Sequence, residues 1–183
     1  IGYKLNCEYF APYINKGDRV LDFGTGVGGL LPELADLGAE VEGLEVNPAA
    51  AKHASARGHR VYGSLDELSE ASTFEVVVRN HVREHVRDVC GTLERIRGVS
   101  KPGGRLVVKL PIDDVRNKHQ RGWSKNDVDH HLQTWTPRLF ANNLIESGYQ
   151  PEKVEVITSA WDPRLFPLAK IGLDRLAFWA LAV

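Results

Sequence analysis

The segment VLDFGTGVGG, Val20–Gly29, decides the fold that this sequence predicts. Asp18–Phe23 is a short apolar strand candidate, and Val27–Gly38 carries leucines at helical spacing and ends on a glycine. The glycines between them therefore connect a strand directly to a helix, where bare backbone amides can meet a nucleotide-like ligand. A glycine-rich turn without a ligand is the alternative interpretation, and an acidic residue further along the chain argues against it.

Strands and helices alternate along the rest of the chain. Further strands are predicted at 40–46, 59–64, 74–81, 105–111, 152–160 and 176–183, and helices at 48–57, 86–100 and 136–149. This alternation predicts an α/β fold in which helices cover both faces of a parallel sheet. A ligand cleft is expected at the carboxyl ends of the strands. The polar insert 111–134 follows the fifth strand at that edge and is the candidate lid and substrate segment.

Length and composition exclude several classes of protein. The 183 residues carry 23 Lys and Arg against 24 Asp and Glu, so the net charge is −1. We expect one domain over 1–183, and neither a disordered chain nor a strongly basic nucleic-acid binder. The longest apolar run, Leu176–Val183, is far shorter than the ~20 residues of a membrane span. Two cysteines form no disulfide framework, which favours a cytoplasmic location.

Two acidic residues frame the glycine segment. Glu45 ends the second predicted strand, 21 residues after Gly24, where a carboxylate can accept hydrogen bonds from ribose hydroxyls. The glycine spacing also satisfies the dinucleotide pattern, so an NAD(P)-dependent oxidoreductase is one interpretation. Asp22 argues against that interpretation, because dinucleotide folds usually continue the apolar strand at this position. A carboxylate there can orient the loop or meet an ammonium group.

The pattern DxGxGxG at 22–28 resembles the first motif of class I S-adenosylmethionine-dependent methyltransferases, in a bacterial subgroup of types 11 and 23. Three later segments are similar to further family motifs in the same order: GLEVNP at 43–48, FEVVVRNHVREHVRD at 74–88 and KPGGRLVVKLP at 101–111. The resemblance implies a three-layer Rossmann-like sandwich with a seven-stranded, mostly parallel sheet, in the order 3-2-1-4-5-7-6 with strand 7 antiparallel. It also implies S-adenosylmethionine as cofactor, S-adenosylhomocysteine as product and no metal.

The resemblance assigns cofactor contacts residue by residue. The turn residues would line the amino-acid part of the cofactor, Glu45 would hold the ribose and Val46 would pack on the adenine. Ser64 stands where many members use Asp for the adenine amine, so either this contact is weaker or Asp66 makes it. Arg79 departs from the apolar character of its segment and is expected to be exposed at the strand end. The implied cofactor-binding set is Asp22, Gly24, Thr25, Gly26, Gly28, Glu45, Val46, Ser64, Leu65, Asn80 and His81.

The candidate catalytic residues depend on the acceptor. Methyl transfer in this family is an in-line displacement at an activated sulfonium, so the protein mainly supplies alignment and desolvation. A general base is needed only where the acceptor must lose a proton. His130 and His131 are either substrate-facing or a loop-anchoring pair, and the two interpretations carry similar weight. The candidates for a base are His131, His130, Asp113 and His81.

The expected acceptor is a small molecule or a glycan-linked metabolite, because DVDHHLQTWT at 127–136 resembles bacterial members associated with glycan pathways. Specificity is expected in the insert, around Tyr3 and Tyr9, or in a partner chain. Basic residues at 116–125 are either a solvated loop, the favoured interpretation, or a site for an anionic substrate. The partner expectations are this substrate, no nucleic acid and a homodimer as the candidate assembly. A non-catalytic binding module with the same fold is the remaining alternative.

Overall fold

The structure is a computed structural model that describes residues 2–68, 73–80, 87–111, 125 and 132–157. Backbone contacts divide the chain into two compact units, Gly2–Pro151 and a second one that begins at Glu152. In the second unit, the described residues 152–157 form no regular element. The helices and strands of the described residues therefore belong to Gly2–Pro151.

The unit Gly2–Pro151 alternates strands and helices around one parallel sheet. Its elements are α1 (Gly2–Phe10), β1 (Arg19–Phe23), α2 (Leu31–Ala35), β2 (Glu40–Leu44), α3 (Pro48–Ser55), β3 (Arg60–Tyr62), β4 (Phe74–Asn80), α4 (Val89–Gly98), β5 (Ser100–Lys109) and α5 (Pro137–Glu146). The strands pair in parallel in the order β3-β2-β1-β4-β5. This arrangement confirms the predicted parallel α/β sheet and the order of its first five strands.

Both faces of the central strands are buried. Val20, Val76 and Val78 pack in one core with residues of α1, α2 and α3. Leu21 and Val77 point to the opposite face and pack in a second core that includes residues of α4. The run of β-branched residues in β4 is therefore covered on both sides, as the sequence predicts. The result is three layers, with helices on each side of the sheet.

Helix α3 begins where the sequence predicts. The Asn47 side chain accepts hydrogen bonds from the backbone amides of Ala49 at 3.0 Å and Ala50 at 3.3 Å, and Pro48 occupies the first helical position. Helix α2 is shorter than expected, because residues 27–30 belong to turns rather than to the helix. The glycine-containing connection between β1 and α2 is correspondingly longer.

The start of β5 differs from the prediction of a turn at 101–104 before a strand. Ser100 already pairs with Phe74, and the next registered pair is Val76 with Arg105. Two steps along β4 therefore oppose five along β5, and residues 101–104 form an irregular bulge within the strand. The residues KPGG therefore form an irregularity inside the strand, and not a turn before it.

Arg79 is fully buried, so the prediction of strand-end exposure is wrong. Its guanidinium lies over the ring of Phe23, 4.5 Å from the centroid. A guanidinium can stack on an aromatic face, and this contact provides a favourable environment for its planar charge at a buried position. The sequence around Arg79 does not indicate that Phe23 of β1 is its neighbour.

The seven-stranded order is described only in part. The predicted sixth strand, at 152–160, is not a strand over 152–157, and 158–160 lie outside the described residues. The last predicted strand, at 176–183, also lies outside them. Within the ranges given above, no helix has the length and apolar character needed to cross a membrane.

A polar cluster joins the first three strands on the face that packs against α4. Glu42 accepts a hydrogen bond from the Arg19 guanidinium at 2.6 Å and another from the Tyr62 hydroxyl at 2.5 Å. Burial alone would raise the pKa of Glu42, but the hydrogen bonds from Tyr62 and Arg19 outweigh burial and hold that pKa below its ordinary value. The cluster therefore favours the charged carboxylate and contributes to stability at neutral pH.

Substitution of Glu42 by Gln is expected to lower the free energy of unfolding by about 1–3 kcal/mol at pH 7, since the partly buried guanidinium of Arg19 loses its anion. Urea denaturation measures the change. Asp66→Asn is the matched control, because the Asp66–Arg95 pair is exposed and such pairs contribute about 1 kcal/mol or less. The side chain of Glu42 is 14% exposed, whereas that of Asp66 is 83% exposed. Equal losses in the two variants would contradict the role given to Glu42.

Candidate functional site

An open cleft of about 190 Å³ lies where β1 and β4 end, at the carboxyl edge of the sheet. Its wall combines the glycine turn, the last residue of β4 and one residue of α1. The lining residues are Tyr3, Asp22, Gly24, Thr25, Gly26, Val27, Leu30 and Asn80. The structure therefore brings together five residues of the predicted cofactor set, although Gly24 and Asn80 are 56 positions apart in the sequence.

The glycine turn is held between β2 and α3. The Gly24 amide donates to the Leu44 carbonyl at 2.8 Å, which fixes the turn to the end of β2. Gly28 has φ +75°, and a Cβ there would lie 2.8 Å from Cα of Ala54 in α3. By contrast, a Cβ on Gly26 would meet nothing within 4 Å. The turn is thus packed closely on the protein side and leaves space above Gly26.

Asp22 places a buried carboxylate in the cleft, with only 2% of the residue exposed. Its pKa is raised to about 6, mainly because burial disfavours the charged form; the nearby Thr25 hydroxyl lowers the pKa, and the charge of Glu45 adds to the rise. Across the described part of the chain, no basic side chain forms an ion pair with it. An acid in this position favours a cationic ligand group, which would supply the missing counter-charge.

Two further polar atoms in the cleft wall have no hydrogen-bond partner among the described residues. They are Oγ1 of Thr25 and Oδ1 of Asn80, and both are buried. Thr25 lies near enough to influence Asp22, but its hydroxyl does not complete a hydrogen bond there. Since buried polar groups are nearly always satisfied, these atoms indicate a polar ligand. Hydrogen-bond donors of that ligand would satisfy these oxygen atoms beside Asp22.

Glu45 contacts the glycine turn from the end of β2. Its Oε2 accepts a hydrogen bond from the Gly26 amide at 2.8 Å, and its Oε1 accepts another from the Asn47 amide at 2.8 Å. Each carboxylate oxygen retains a second acceptor site. Glu45 therefore holds the turn in place and can still accept hydrogen bonds from ligand hydroxyls beside the cleft.

The residues predicted to hold an adenine follow the ends of β2 and β3. Val46 is 73% exposed and presents an apolar surface to solvent. Ser64 and Leu65 are partly exposed and begin the turn after β3. Asp66, the alternative to Ser64, already forms an exposed ion pair with Arg95. This pairing favours Ser64 over Asp66 for any contact with a base.

The catalytic candidates cannot be placed in the same way. His81, Asp113, His130 and His131 lie outside the described residues, as does most of the insert 111–134. Among the side chains that are described, no group of three or more His, Cys, Asp and Glu is arranged to hold a metal ion. The described side chains that line the cleft have a chemistry that suits a polar, cationic ligand.

Helix α1 contributes to the cleft, and the sequence did not predict this helix. Tyr3 lies against the glycine turn so closely that Gly29 could not carry a side chain without displacing the Tyr3 ring. Cys7 Sγ donates to the Glu33 carbonyl of α2 at 3.3 Å. Tyr3 belongs to the segment expected to influence specificity, but the apolar wall residues Val27 and Leu30 were not predicted. Val27 lies inside the glycine-rich turn and gave no separate signal, and Leu30 was predicted only as one of the leucines at helical spacing.

Comparison with known proteins agrees with this geometry. The family profile of a methyltransferase domain matches residues 3–154. The chain belongs to the methyltransferase domain family. The match extends from α1 through the glycine turn, the strands and α5, so the family assignment covers all elements that form the cleft. It confirms the resemblance found in the sequence motifs.

Relatives of this methyltransferase-family chain support the same assignment. The ubiquinone biosynthesis O-methyltransferase of Methylocella silvestris is 37% identical over 153 residues, 75% of this chain and 60% of the relative. The chain spans about half the length of the curated relatives it matches. A methyltransferase from Archaeoglobus fulgidus has a TM-score of 0.67 at 19% identity, covering 94% of this chain and 85% of its own.

A second similar structure was determined with a cofactor. Phosphoethanolamine N-methyltransferase 2 of Haemonchus contortus, in complex with S-adenosyl-L-methionine, has a TM-score of 0.66 at 19% identity. The match covers 98% of this chain and 44% of that protein. At this identity the likeness supports the fold alone, which is a Rossmann-like methyltransferase fold.

Proposed function

We propose that the chain binds S-adenosylmethionine and transfers its methyl group to an oxygen atom of a small-molecule acceptor. The observation that carries this proposal is the buried carboxylate of Asp22, which has no basic partner among the described residues. It stands in a cleft with the unsatisfied Asn80 Oδ1. The choice of oxygen is supported by the ubiquinone biosynthesis O-methyltransferases among the relatives.

The residues of the cleft fit this cofactor. Asp22 and Asn80 would hold the ammonium of its amino-acid part, since one offers a charge and the other an unused acceptor. Glu45 would accept from the ribose hydroxyls, and Val46 would cover one face of the adenine. Ser64 and Leu65 would border the base from the turn after β3. When bound, the cofactor supplies a methyl group already activated by its sulfonium.

The protein's part in the reaction is alignment, exclusion of water and removal of any proton that the acceptor must lose. A hydroxyl acceptor requires a base at or before transfer, and the proposed candidates remain His131, His130, Asp113 and His81. A glycan-linked hydroxyl compound remains within the proposed range of acceptors. No metal is needed for this chemistry, and none is proposed.

The proposal extends to the parts that the structure does not describe. A single methyltransferase domain over 1–183 would carry seven strands in the order 3-2-1-4-5-7-6, with strand 7 antiparallel. The insert 111–134 would be its substrate segment. We further propose a homodimer in the cytoplasm that binds no nucleic acid. Size-exclusion chromatography with light scattering measures the assembly, and a monomer at all concentrations would contradict it.

Calorimetry with S-adenosylhomocysteine and with NADH distinguishes the two cofactor classes. We expect binding of S-adenosylhomocysteine and none of NADH, because Asp22 disfavours a second anionic group at the turn but favours an ammonium. The opposite pattern would support the oxidoreductase alternative and refute the proposal. Transfer of labelled methyl to small hydroxyl acceptors then tests catalysis. Cofactor binding without transfer to any acceptor would support the non-catalytic module.

A further inference from the structure

Lys109 lies beside the cleft although it is not part of the site described so far. It is the last residue of β5, and its Cα partner on β4 is Asn80, which lines the cleft. Val107 and Val78, two residues earlier on each strand, pack in the same core. Because strand side chains alternate between faces, Lys109 and Asn80 point to the same side of the sheet, on strands about 4.8 Å apart.

Lys109 is half-buried, and the two partners described for it are neutral. Its Nζ donates to Oδ1 of Asn6 at 2.7 Å and lies 4.5 Å from the centroid of the Tyr9 ring. Both partners belong to α1. Burial lowers the pKa of Lys109. Burial also raises the pKa of Tyr9, as does the charge of Glu8 to a smaller extent, so the phenol remains neutral.

No carboxylate of the described residues pairs with Lys109. Lys101, in the bulge near the other end of β5, forms an ion pair with Glu75 and shows the ordinary arrangement for a lysine. An ammonium withdrawn from water costs free energy unless an anion compensates it. Among the described residues, this cation at the edge of the cleft therefore has no anion to compensate it.

We propose that Lys109, supported by Asn6 and Tyr9, is a subsite for a ligand carboxylate next to the methyl-transfer cleft. This inference rests on the proposed function and deepens it. The carboxylate has two possible sources, the amino-acid part of the cofactor and an acidic acceptor. In either case Lys109 is a positioning residue, since it orients a ligand and takes no part in breaking or forming the methyl bonds.

The first test compares S-adenosylhomocysteine with its decarboxylated analogue by calorimetry. If the cofactor is the source, Lys109→Met weakens S-adenosylhomocysteine binding about 10- to 100-fold, as expected for a charge-assisted hydrogen bond, and leaves the analogue unchanged. Lys109→Arg should restore most of the affinity. Lys101→Met, which removes a lysine of the same strand away from the cleft, is the control and should bind both ligands normally.

The second test measures an acidic acceptor on the protein loaded with S-adenosylhomocysteine. Here 3,4-dihydroxybenzoate is compared with catechol, which lacks the carboxylate. If the acceptor is the source, Lys109→Met weakens only the benzoate, and S-adenosylhomocysteine binds as before. Unchanged affinity in both pairs of ligands would overturn the subsite. Failure of the unaltered protein to bind S-adenosylhomocysteine would instead overturn the proposed function.

Asn6→Asp separates ligand binding from a structural role. It places a carboxylate where the amide oxygen already accepts from Lys109, so the protein supplies the missing anion itself. We expect a higher midpoint of thermal unfolding together with a 10- to 100-fold loss of affinity for the carboxylate ligand identified above. If Lys109 only fastened α1, the same variant would gain stability and keep its affinity. That second result would overturn the proposal even if Lys109→Met fails to fold.

Discussion

Asp22→Asn is expected to stabilise the ligand-free protein at pH 8 while weakening cofactor binding about 10- to 100-fold. The pKa of Asp22 is raised from 3.8 to about 6, so the charged carboxylate lowers the free energy of unfolding above that pH. At 1.36 kcal/mol per unit, removal of the charge raises the free energy of unfolding by about 1–3 kcal/mol. The cofactor ammonium loses its proposed counter-ion in the same substitution.

The pH dependence of the free energy of unfolding tests independently whether Asp22→Asn stabilises the ligand-free protein. A carboxyl group whose pKa is raised by folding contributes stability below its unfolded pKa of about 4, and this contribution is lost as the pH rises through about 6. The advantage of Asp22→Asn in urea denaturation should therefore be large at pH 8 and nearly gone at pH 4. Asp36→Asn, at an exposed acid beyond α2, is the control and should show no such trend. Calorimetry with S-adenosylhomocysteine provides the affinities, and a stabilised variant with unchanged affinity would refute the role of Asp22.

Glu45→Ala is expected to weaken S-adenosylhomocysteine binding by roughly 1.5–3 kcal/mol for each charged hydrogen bond lost from the ribose. The structure adds a second cost, because the same carboxylate accepts from the amides of Gly26 and Asn47. The turn therefore loses one of its connections to the end of β2 as the ribose loses its acceptor, while the bond from the Gly24 amide to the Leu44 carbonyl remains. Calorimetry measures the affinity, and urea denaturation of the ligand-free protein measures the loss of the connection.

Two comparison variants separate these contributions of Glu45. Glu45→Gln retains a neutral acceptor and should keep part of the turn contact while losing most of the charged hydrogen bonding. Glu40→Ala removes an exposed acid at the start of the same strand and should leave the affinity unchanged. If Glu45→Ala destabilised the protein but bound S-adenosylhomocysteine normally, Glu45 would be a structural residue and the ribose assignment would be wrong.

The sequence predicted the parts of the site that depend on local chemistry. A strand followed by DxGxGxG, and an acid at the end of the next strand, correspond to Asp22, the glycine turn and Glu45 in contact with Gly26. The alternation of strands and helices predicted a parallel sheet. The order of its first five strands, which the structure confirms, was implied by the resemblance to the methyltransferase family. The cap at Asn47 was also predictable from local chemistry, since its partners lie within three residues.

The parts that were missed depend on contacts between distant residues. Lys109 and Asn6 are 103 positions apart, and nothing near either residue indicates the other. Arg79 was expected to be exposed because arginine usually is, but the Phe23 ring on β1 provides it with a buried surface. The bulge at 101–104 depends on the register between β4 and β5, which composition does not determine.

The contact between the glycine turn and α3 restricts which residues can occupy positions 28 and 54. A side chain at position 28 would overlap Ala54, and a side chain larger than Ala at position 54 would press into the space that Gly28 leaves open. We therefore expect the relatives to have small residues at both positions, and a larger residue at one position only where the other is smaller. A variant library randomised at 28 and 54 should yield folded members only from that narrow set, whereas the open position Gly58, which also has positive φ, should accept Asn.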